Sequence, residues 1–219
     1  MKILVLSDTH LGLRFEEKKF KLLKSLIKSV NKVVINGDFW EGYKINFEQF
    51  INSHWKLLFP LLKSKKTTYL FGNHDKKLYS NEKTSLFSDL QAHQYKMKLN
   101  GNVLVFEHGN RLCSLFDETH PKFYEIIKKT NILGRLHEMM VRKFGSKILK
   151  LLFSSQNEII KAKIKKELKN GEIFVCGHTH AAEFDIKNNF LNSGIIMHGL
   201  AQYVLIDGKK IYPKEEWYD

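Results

Sequence analysis

Short apolar runs alternate with amphipathic segments along the first seventy residues of the chain. Residues 2–7, 32–35 and 67–71 are apolar runs of strand length. The segments between them, near 16–30 and 46–63, repeat large apolar side chains every three or four residues, which is the period of a helix with one buried face. Strands and helices that alternate through short connections predict a parallel sheet with right-handed crossovers.

A second set of strands is predicted further along the chain. Residues 94–99 and 103–107 flank Asn100-Gly101-Asn102, and an Asn-Gly pair between two strands indicates a hairpin. The later strand segments are 172–176 and the hairpin-like pieces 182–191 and 202–212.

The segment 115–169 lacks strand character and interrupts this second set. Its apolar residues recur at helical spacing and predict two or three helices. They are Phe123, Ile127, Leu133, Leu136, Met140, Phe144, Ile148, Leu152, Ile159, Ile160, Ile164 and Leu168. The pattern predicts a single α/β domain over 1–219 with a helical insertion at 115–169.

Polar side chains with metal-binding chemistry follow five of the predicted strands. In chain order they are Asp8, His10, Asp38, Asn73, His74, His108, His178 and His180. In sheets of this kind the ligand site lies at the carboxyl ends of the strands, so we expect these residues to converge. Imidazole and hard oxygen ligands without thiolates disfavour a structural zinc site. The residues outnumber the four or so protein ligands of one catalytic ion, which predicts two ions about 3.5–4 Å apart.

The same residues carry a family resemblance that covers positions 1 to about 206. The motifs Asp8-x-His10, Gly37-Asp38-x-x-Glu41, Gly72-Asn73-His74-Asp75, Glu107-His108-Gly109 and Gly177-His178-Thr179-His180 resemble, in this order, the five motifs of the calcineurin-like metallophosphoesterases. The resemblance implies a four-layer α/β fold with two central β-sheets flanked by helices. It also implies a binuclear centre of two divalent metal ions, with manganese the first choice and iron, zinc or nickel as alternatives.

The resemblance further implies a role for each motif residue. One ion would be held by Asp8, His10, Asp38 and His180, and the other by Asp38, Asn73, His108 and His178. Asp38 would bridge the ions, and a metal-bound hydroxide would attack phosphorus. His74 would protonate the leaving oxygen, and Glu41, where the family usually has aspartate, would orient His74.

The helical insertion resembles the lid of UDP-2,3-diacylglucosamine pyrophosphatases, which holds the acyl chains of a lipid precursor. The segment from His108 to Cys113, with Asp117 and Tyr124 downstream, is similar to the corresponding segment of those enzymes. Two features differ: those enzymes commonly carry arginine at the position of His74, and they have a Gly-Asp-Trp segment that is missing after His198. The resemblance implies hydrolysis of a phosphoester or pyrophosphate bond, in a phosphorylated small molecule or a lipid-linked nucleotide.

The chain is basic, with a net charge of +13, yet only four of its 36 basic residues are arginine. Lysine supplies point charge, whereas specific phosphate recognition favours the arginine fork. The charge therefore fits either a solvated surface or an acidic partner. Residues 111–170 hold 14 basic and 6 acidic residues, a net of +8, so the insertion is a candidate for peripheral contact with an anionic membrane. Its apolar stripes fit equally well a simple packing of the insertion on the core.

Two other function classes stay open at this point. A nuclease would account for the charge, but few arginines and no aromatic residues interleaved with a basic groove make nucleic acid a less favoured partner. A metal-free scaffold, such as the retromer subunit of this fold, would carry degenerate ligand positions, and here every position is intact. With two cysteines and no apolar run of about 20 residues, we expect a cytoplasmic protein, with the membrane's inner face as the place of any peripheral contact.

Two further expectations follow from where the motifs lie. The histidines without a motif are expected to be structural or exposed; they are His54, His93, His120, His137 and His198. No motif residue lies within 115–169, so replacing that segment by a short linker is expected to spare the metal site.

Overall fold

Two β-sheets pack face to face at the centre of the computed structural model, which describes residues 1–115 and 132–218. Val5 and Val34 of the first sheet pack against Phe106 and Val175 of the second, and all four are buried. This apolar interface fixes the relative position of the two sheets.

The strands and helices account for most of the described chain. In chain order the strands are β1 (Lys2–Leu6), β2 (Lys32–Asn36), β3 (Thr68–Leu70), β4 (Leu90–Ala92), β5 (Gln94–Leu99), β6 (Asn102–Glu107), β7 (Glu172–Cys176), β8 (Glu183–Asp185), β9 (Phe190–Asn192), β10 (Ile196–Met197), β11 (Leu200–Asp207) and β12 (Lys210–Trp217). The α-helices are α1 (Glu17–Lys28), α2 (Phe47–Asn52), α3 (Phe59–Ser64), α4 (Ile132–Phe144) and α5 (Ser146–Ile164).

The sheets are mixed, with parallel strands at their centres. The first sheet has the order β10-β11-β1-β2-β3-β4, and β12 also pairs with β11. Strands β1 to β4 run parallel and β11 runs antiparallel to β1. The second sheet has the order β5-β6-β7-β9-β8, in which β6, β7 and β9 run parallel. The predicted parallel arrangement of β1, β2 and β3 is confirmed.

Helices cover the outer face of each sheet. Leu4 and Val33 face a cluster that contains Leu23 of α1, while Phe174 of the second sheet packs against Ile160 of α5. The central strands are buried on both faces, which explains why they are continuous apolar runs rather than alternating ones. The layers are therefore helix, sheet, sheet and helix, and the predicted fold class is confirmed.

The hairpin predicted from Asn100-Gly101 is present. Strands β5 and β6 pair antiparallel, with Leu99 opposite Asn102. The two connecting residues have φ angles of 54° and 82°, and a two-residue turn with both central φ angles positive follows the right-handed twist of the strands. The later hairpin extends further than predicted, because β11 and β12 pair along their whole length.

The single helix predicted over 46–63 is wrong. The segment forms α2, a 3-10 helix at His54–Leu58, and α3. Ser53 is extended (φ −70°, ψ 172°), and its hydroxyl accepts a hydrogen bond from the Trp55 backbone N–H. Pro60 then occupies the first turn of α3, where its missing N–H costs no hydrogen bond. Apolar periodicity continued across both breaks, so the pattern alone did not show them.

The described part of the predicted insertion forms α4 and α5. Residues 116–131, which include the predicted helix positions Phe123 and Ile127, lie outside the described residues. None of the described helices has the length and apolarity that crossing a bilayer requires.

Candidate metal centre

The loops after β1, β2 and β7 meet at one edge of the two sheets. The backbone N–H groups of Thr9 and His10 both donate to the Asp38 carbonyl, which ties the first loop to the second. The His178 N–H donates to Oδ2 of Asp8 at 3.0 Å, which ties the second sheet to the first. Convergence of strand ends therefore brings the predicted residues into one cluster.

The first group of donor atoms combines residues from both sheets. Nε2 of His180 lies 3.4 Å from Oδ1 of Asp8, and Nε2 of His10 lies 3.9 Å from the same oxygen. These three residues form a group whose ligand atoms all lie within 4.8 Å of one another. They are three of the four residues that the resemblance assigns to one ion.

The second group lies on the other side of Asp38. Oδ1 of Asn73 lies 3.2 Å from Nε2 of His108 and 3.0 Å from Nδ1 of His178. Oδ2 of Asp38 lies 3.3 Å from Nε2 of His108 and 3.8 Å from Nε2 of His10. Asp38 thus lies between the two groups, at the place of the bridging ligand that the resemblance implies.

Two imidazoles are oriented by backbone carbonyls on the side away from the cluster. Nδ1 of His108 is 2.9 Å from the Asn36 carbonyl oxygen, and Nε2 of His178 is 2.6 Å from that of Cys113. A hydrogen bond of this kind fixes the tautomer and leaves the other ring nitrogen for a metal. No sequence motif marks the Asn36 and Cys113 carbonyls, because backbone groups carry no residue-type signal.

The donor set fits a pair of divalent ions. Oδ1 of Asp8 and both ring nitrogens of His10 are buried and have no hydrogen-bond partner within 1–115 and 132–218. An unpaired buried carboxylate oxygen is costly unless a cation compensates it. Ligands about 2.0–2.2 Å from a shared ion lie about 3.0–3.6 Å apart, which is close to the separations observed here.

The carboxylates and imidazoles of the cluster shift one another's proton affinities. Burial alone would raise the pKa of Asp38, but His108 and His74 hold it well below the ordinary value. Burial likewise lowers the pKa of His108, yet the Asp38 carboxylate outweighs burial and raises it to about 10. The cluster therefore binds positive charge strongly, as a metal site must.

Five predicted ligands occupy the left-handed region of backbone space. Their φ angles are 50° for Asp8, 43° for His10, 51° for Asp38, 68° for His178 and 64° for His180. Non-glycine residues are uncommon there, although aspartate and histidine are enriched among them. Such strain persists only where the surrounding structure holds it.

Asp75 holds the strained backbone at Asp38, a role that the sequence motifs did not predict. Its carboxylate accepts hydrogen bonds from the backbone N–H groups of Asp38, Phe39 and Gly72. Burial and the nearby Asp38 charge raise the pKa of Asp75 to about 6. Gly72 must lack a side chain because a Cβ there would collide with the Asp38 carboxylate.

His74 and Glu41 lie beside the first group. Nδ1 of His74 is 2.8 Å from Oε1 of Glu41, and Nε2 of His74 is 4.0 Å from Oδ2 of Asp38. Glu41 also places Oε2 3.5 Å from Nδ1 of His10, so His10, Glu41 and His74 form a third group of potential ligand atoms. Glu41 therefore reaches His74 despite its longer side chain, and its role in orienting that ring stays a prediction.

The cluster forms the floor of a cavity of about 700 Å³. Among the described residues, its lining beyond the motifs comprises Arg14, Glu16, Lys44, Ser114, Leu115, Gly134, Arg135, His137, Glu138, Arg142, Phe153, Gln156, Met197 and His198. Residues of α4 and α5 therefore contribute to the cavity walls.

The histidines without a motif fall into two classes. His54 and His93 are exposed, with their rings near those of Phe15 and Phe71, which agrees with the expectation of structural or exposed residues. His137 and His198 instead line the cavity, with their ring centroids 5.1 Å apart. No sequence signal marked these two, because α4 and the turn before β11 reach the site only through the fold. His120 lies outside the described residues.

Comparison with known proteins identifies the fold and the family. Among solved structures, the chain is similar to an archaeal phosphodiesterase (TM-score 0.52, 14% identity, covering 99% of this chain and 100% of that one). It is also similar to Vps29 of Entamoeba histolytica, solved with zinc (TM-score 0.51, 13% identity, 100% of both chains). No protein with a curated description matches the sequence.

Identities this low show the fold alone, and the family rests on a separate match. The family model described as calcineurin-like phosphoesterase matches residues 1–182, which is most of the chain and includes every predicted ligand. The chain therefore belongs to the calcineurin-like phosphoesterase family, whose members hydrolyse phosphoesters with divalent metal ions.

Proposed function

We propose that this protein hydrolyses the pyrophosphate bond of a nucleotide-linked lipid precursor. The observation that carries the proposal is the composition of the cavity above the donor cluster. Its walls combine cationic side chains, which suit phosphate, with apolar side chains from the insertion, which suit an acyl chain.

The cationic side chains are concentrated at the cavity. Three of the chain's four arginines line it, namely Arg14, Arg135 and Arg142, together with Lys44. Arg14 and Arg135 form no ion pair with any residue of 1–115 or 132–218, whereas Arg142 pairs with Glu138. The arginine fork matches phosphate oxygens, so two available guanidinium groups favour a substrate with more than one anionic group.

The apolar side chains lie toward the insertion. Leu115, Phe153 and Met197 line the cavity, and Phe153 lies 6.1 Å from the His180 ring between centroids. Outside the cavity, Met139 of α4 and Leu151 of α5 are 58% and 78% exposed. Under this proposal, these exposed side chains contact the part of the acyl chains that extends beyond the cavity.

The reaction needs an activated water and a protonated leaving group. The two donor groups would hold divalent ions, which would supply charge neutralisation of the phosphate and activation of the water. His74 holds, at Nε2, the proton that passes to the leaving oxygen. Glu41 fixes the His74 ring through Nδ1 at 2.8 Å, and Arg14 and Arg135 hold the second phosphate away from the floor.

A substrate comparison tests this proposal. The manganese-loaded protein is assayed on a UDP-linked diacylated amino sugar, on its deacylated counterpart, on a p-nitrophenyl phosphodiester and on single-stranded DNA. We expect more than tenfold preference for the acylated nucleotide, because each buried methylene contributes about 0.8 kcal/mol. Equal rates on the acylated and deacylated forms would refute the lipid substrate. Cleavage of DNA with steep salt dependence would point to a nuclease instead.

A further inference from the structure

Helix α5 carries one buried polar residue in an otherwise apolar stripe. Leu149, Ile160 and Ile164 are buried on the face that packs on the core, and Asn157 lies on the same face with 1% exposure. Asparagine is a poorer helix former than leucine, and a buried amide costs free energy unless it is hydrogen-bonded. Asn157 therefore needs compensation from its partners.

Those partners use the full hydrogen-bonding capacity of the amide. Nδ2 of Asn157 donates to the Ala181 carbonyl at 2.9 Å and to Oε2 of Glu183 at 2.8 Å. Oδ1 accepts from the Thr179 hydroxyl at 2.7 Å and from Nδ2 of Asn192 at 3.1 Å. Two donors and two acceptor sites are all that an amide offers. The donors and acceptors around it also fix which end is oxygen.

Thr179 is the residue between the two predicted ligands His178 and His180. It is fully buried, and its hydroxyl also accepts from Nδ2 of Asn192 at 2.8 Å. Both histidines have φ angles in the left-handed region, which an isolated chain would disfavour by about 1–2 kcal/mol per residue. The Thr179 side chain is thus the anchor between two strained positions.

We propose that Asn157 is a positioning residue for the metal centre, acting through Thr179 to hold His178 and His180 in their ligating conformation. The proposal rests on the metal-dependent function above. It also makes α5 a structural part of the site rather than a removable lid. Under this proposal a short linker in place of 115–169 would not spare the metal site, contrary to the expectation above, because α5 packs on the second sheet and bonds to the turn between the ligands.

A matched pair of substitutions at Thr179 tests the link between Asn157 and the two histidines without changing any residue of α5. Thr179→Val keeps the shape but removes the hydroxyl, and Thr179→Ser keeps the hydroxyl. We expect Thr179→Val and Asn157→Ala to weaken manganese binding about 10–100-fold, the range observed when partners of ligands are removed. Thr179→Ser should bind within about threefold of the unmodified protein. The dissociation constants are measured by competition with a chelator.

A second readout uses the metal-free protein. Amide hydrogen exchange of residues 177–181 should become faster in Asn157→Ala, because the strained turn loses its anchor. Ile164→Ala, which removes a buried side chain two turns further along α5, is the stability control. It should lower the melting temperature while leaving both manganese affinity and exchange of 177–181 unchanged.

The outcomes separate this proposal from the proposed function. If the unmodified protein binds two ions and Thr179→Val binds them equally well, the positioning role is refuted and the function stands. If Ile164→Ala weakens binding as much as Asn157→Ala, the effect is one of general stability and the positioning role is again refuted. If the unmodified protein binds no manganese, the proposed function fails and the role of Asn157 fails with it.

Discussion

Nδ1 of His74 lies 2.8 Å from Oε1 of Glu41, while the other oxygen of that carboxylate lies 3.5 Å from Nδ1 of His10. One carboxylate therefore contacts both the candidate proton donor and a candidate ligand. Burial alone would raise the pKa of Glu41, but His74 and His10 hold it well below the ordinary value, so it is a carboxylate at neutral pH. Its charge links the position of His74 to that of the metal centre.

Substitution of His74 should affect turnover more than metal binding. We expect His74→Ala to keep its metal content and to lose about 10²–10⁴-fold in kcat, which is the usual contribution of general acid catalysis. The loss should be much smaller on a p-nitrophenyl phosphodiester than on an alkyl phosphodiester, because the p-nitrophenolate leaving group needs little protonation. Steady-state kinetics on both substrates, with elemental analysis of the variant, measure these effects.

A double variant checks the role of Glu41 in the same reaction. If Glu41 acts through His74, then Glu41→Gln should cost little more in the His74→Ala background, because residues that act as a unit are not additive. Fully additive losses would show that Glu41 acts chiefly through His10. Equal losses of His74→Ala on good and poor leaving groups would argue against a proton transfer to the leaving oxygen.

Removal of Asp38 should deplete both ions together. Its Oδ2 lies within 4.0 Å of ring nitrogens of His10, His74 and His108, so it faces both groups of donor atoms. We expect Asp38→Ala to retain less than one ion per chain, and Asn73→Ala to retain about one. Elemental analysis of protein purified without chelator measures this.

The control for this prediction is Asp89→Asn, on the surface. Asp89 pairs with Lys63 and is 43% exposed, and it has no contact with the cluster. It should retain the full metal content. Retention of two ions by Asp38→Ala would contradict the assignment of Asp38 as the shared ligand.

The four arginines supply a matched comparison for substrate recognition. We expect Arg14→Ala and Arg135→Ala each to raise KM for the nucleotide substrate about 10–100-fold, since hydrogen bonds to charged groups contribute about 1.5–3 kcal/mol. Hydrolysis of a p-nitrophenyl ester without a second phosphate should change little. Arg111→Ala is the control, because its guanidinium is held by Glu107 and Glu167 outside the cavity lining. An equal rise in KM for Arg111→Ala would exclude a specific phosphate contact.

Lys19 should make the free energy of unfolding depend on pH in the alkaline range. It is 2% exposed, donates to the Thr9 carbonyl, and burial lowers its pKa from 10.5 to about 8, with Glu16 opposing the shift. The folded state therefore releases this proton before the unfolded state does. Below about pH 8 the buried Lys19 ammonium lowers the free energy of unfolding. This loss of stability is relieved as pH rises from about 8 to 10.5, by roughly 3 kcal/mol at most.

Urea unfolding at pH 7 to 10.5 measures this effect as a difference between variants. The stability of Lys19→Met relative to the unmodified protein should fall as pH rises through this window. Lys21→Met, on the same helix but 71% exposed, should show a constant difference. A constant difference for Lys19→Met as well would mean that the ammonium is not strained by burial.

The sequence predicted the central strands and the cluster of site residues because both depend on backbone direction. Parallel strands place their carboxyl ends at one edge, so His10 and Asp38 meet whatever the details of their loops. The break at Ser53 depends on a hydroxyl hydrogen bond and on Pro60 seven residues later, and apolar periodicity contains no sign of either. The helical spacing predicted α5 but not that Asn157 would contact Thr179, because that contact joins positions 22 residues apart across two layers.

Left-handed backbone at five predicted ligands has a consequence for directed evolution. Glycine adopts such φ angles without strain, so a library selected for thermal stability alone should accept glycine or asparagine at Asp8, Asp38 and His180. Each accepted change would raise the melting temperature of the metal-free protein and weaken the metal site, because glycine removes a ligand and asparagine replaces a charged carboxylate or an imidazole with a neutral amide. Selection of this protein for stability therefore needs metal in the medium. Ion binding then compensates for the backbone strain, and the ligand residues are retained among the selected variants.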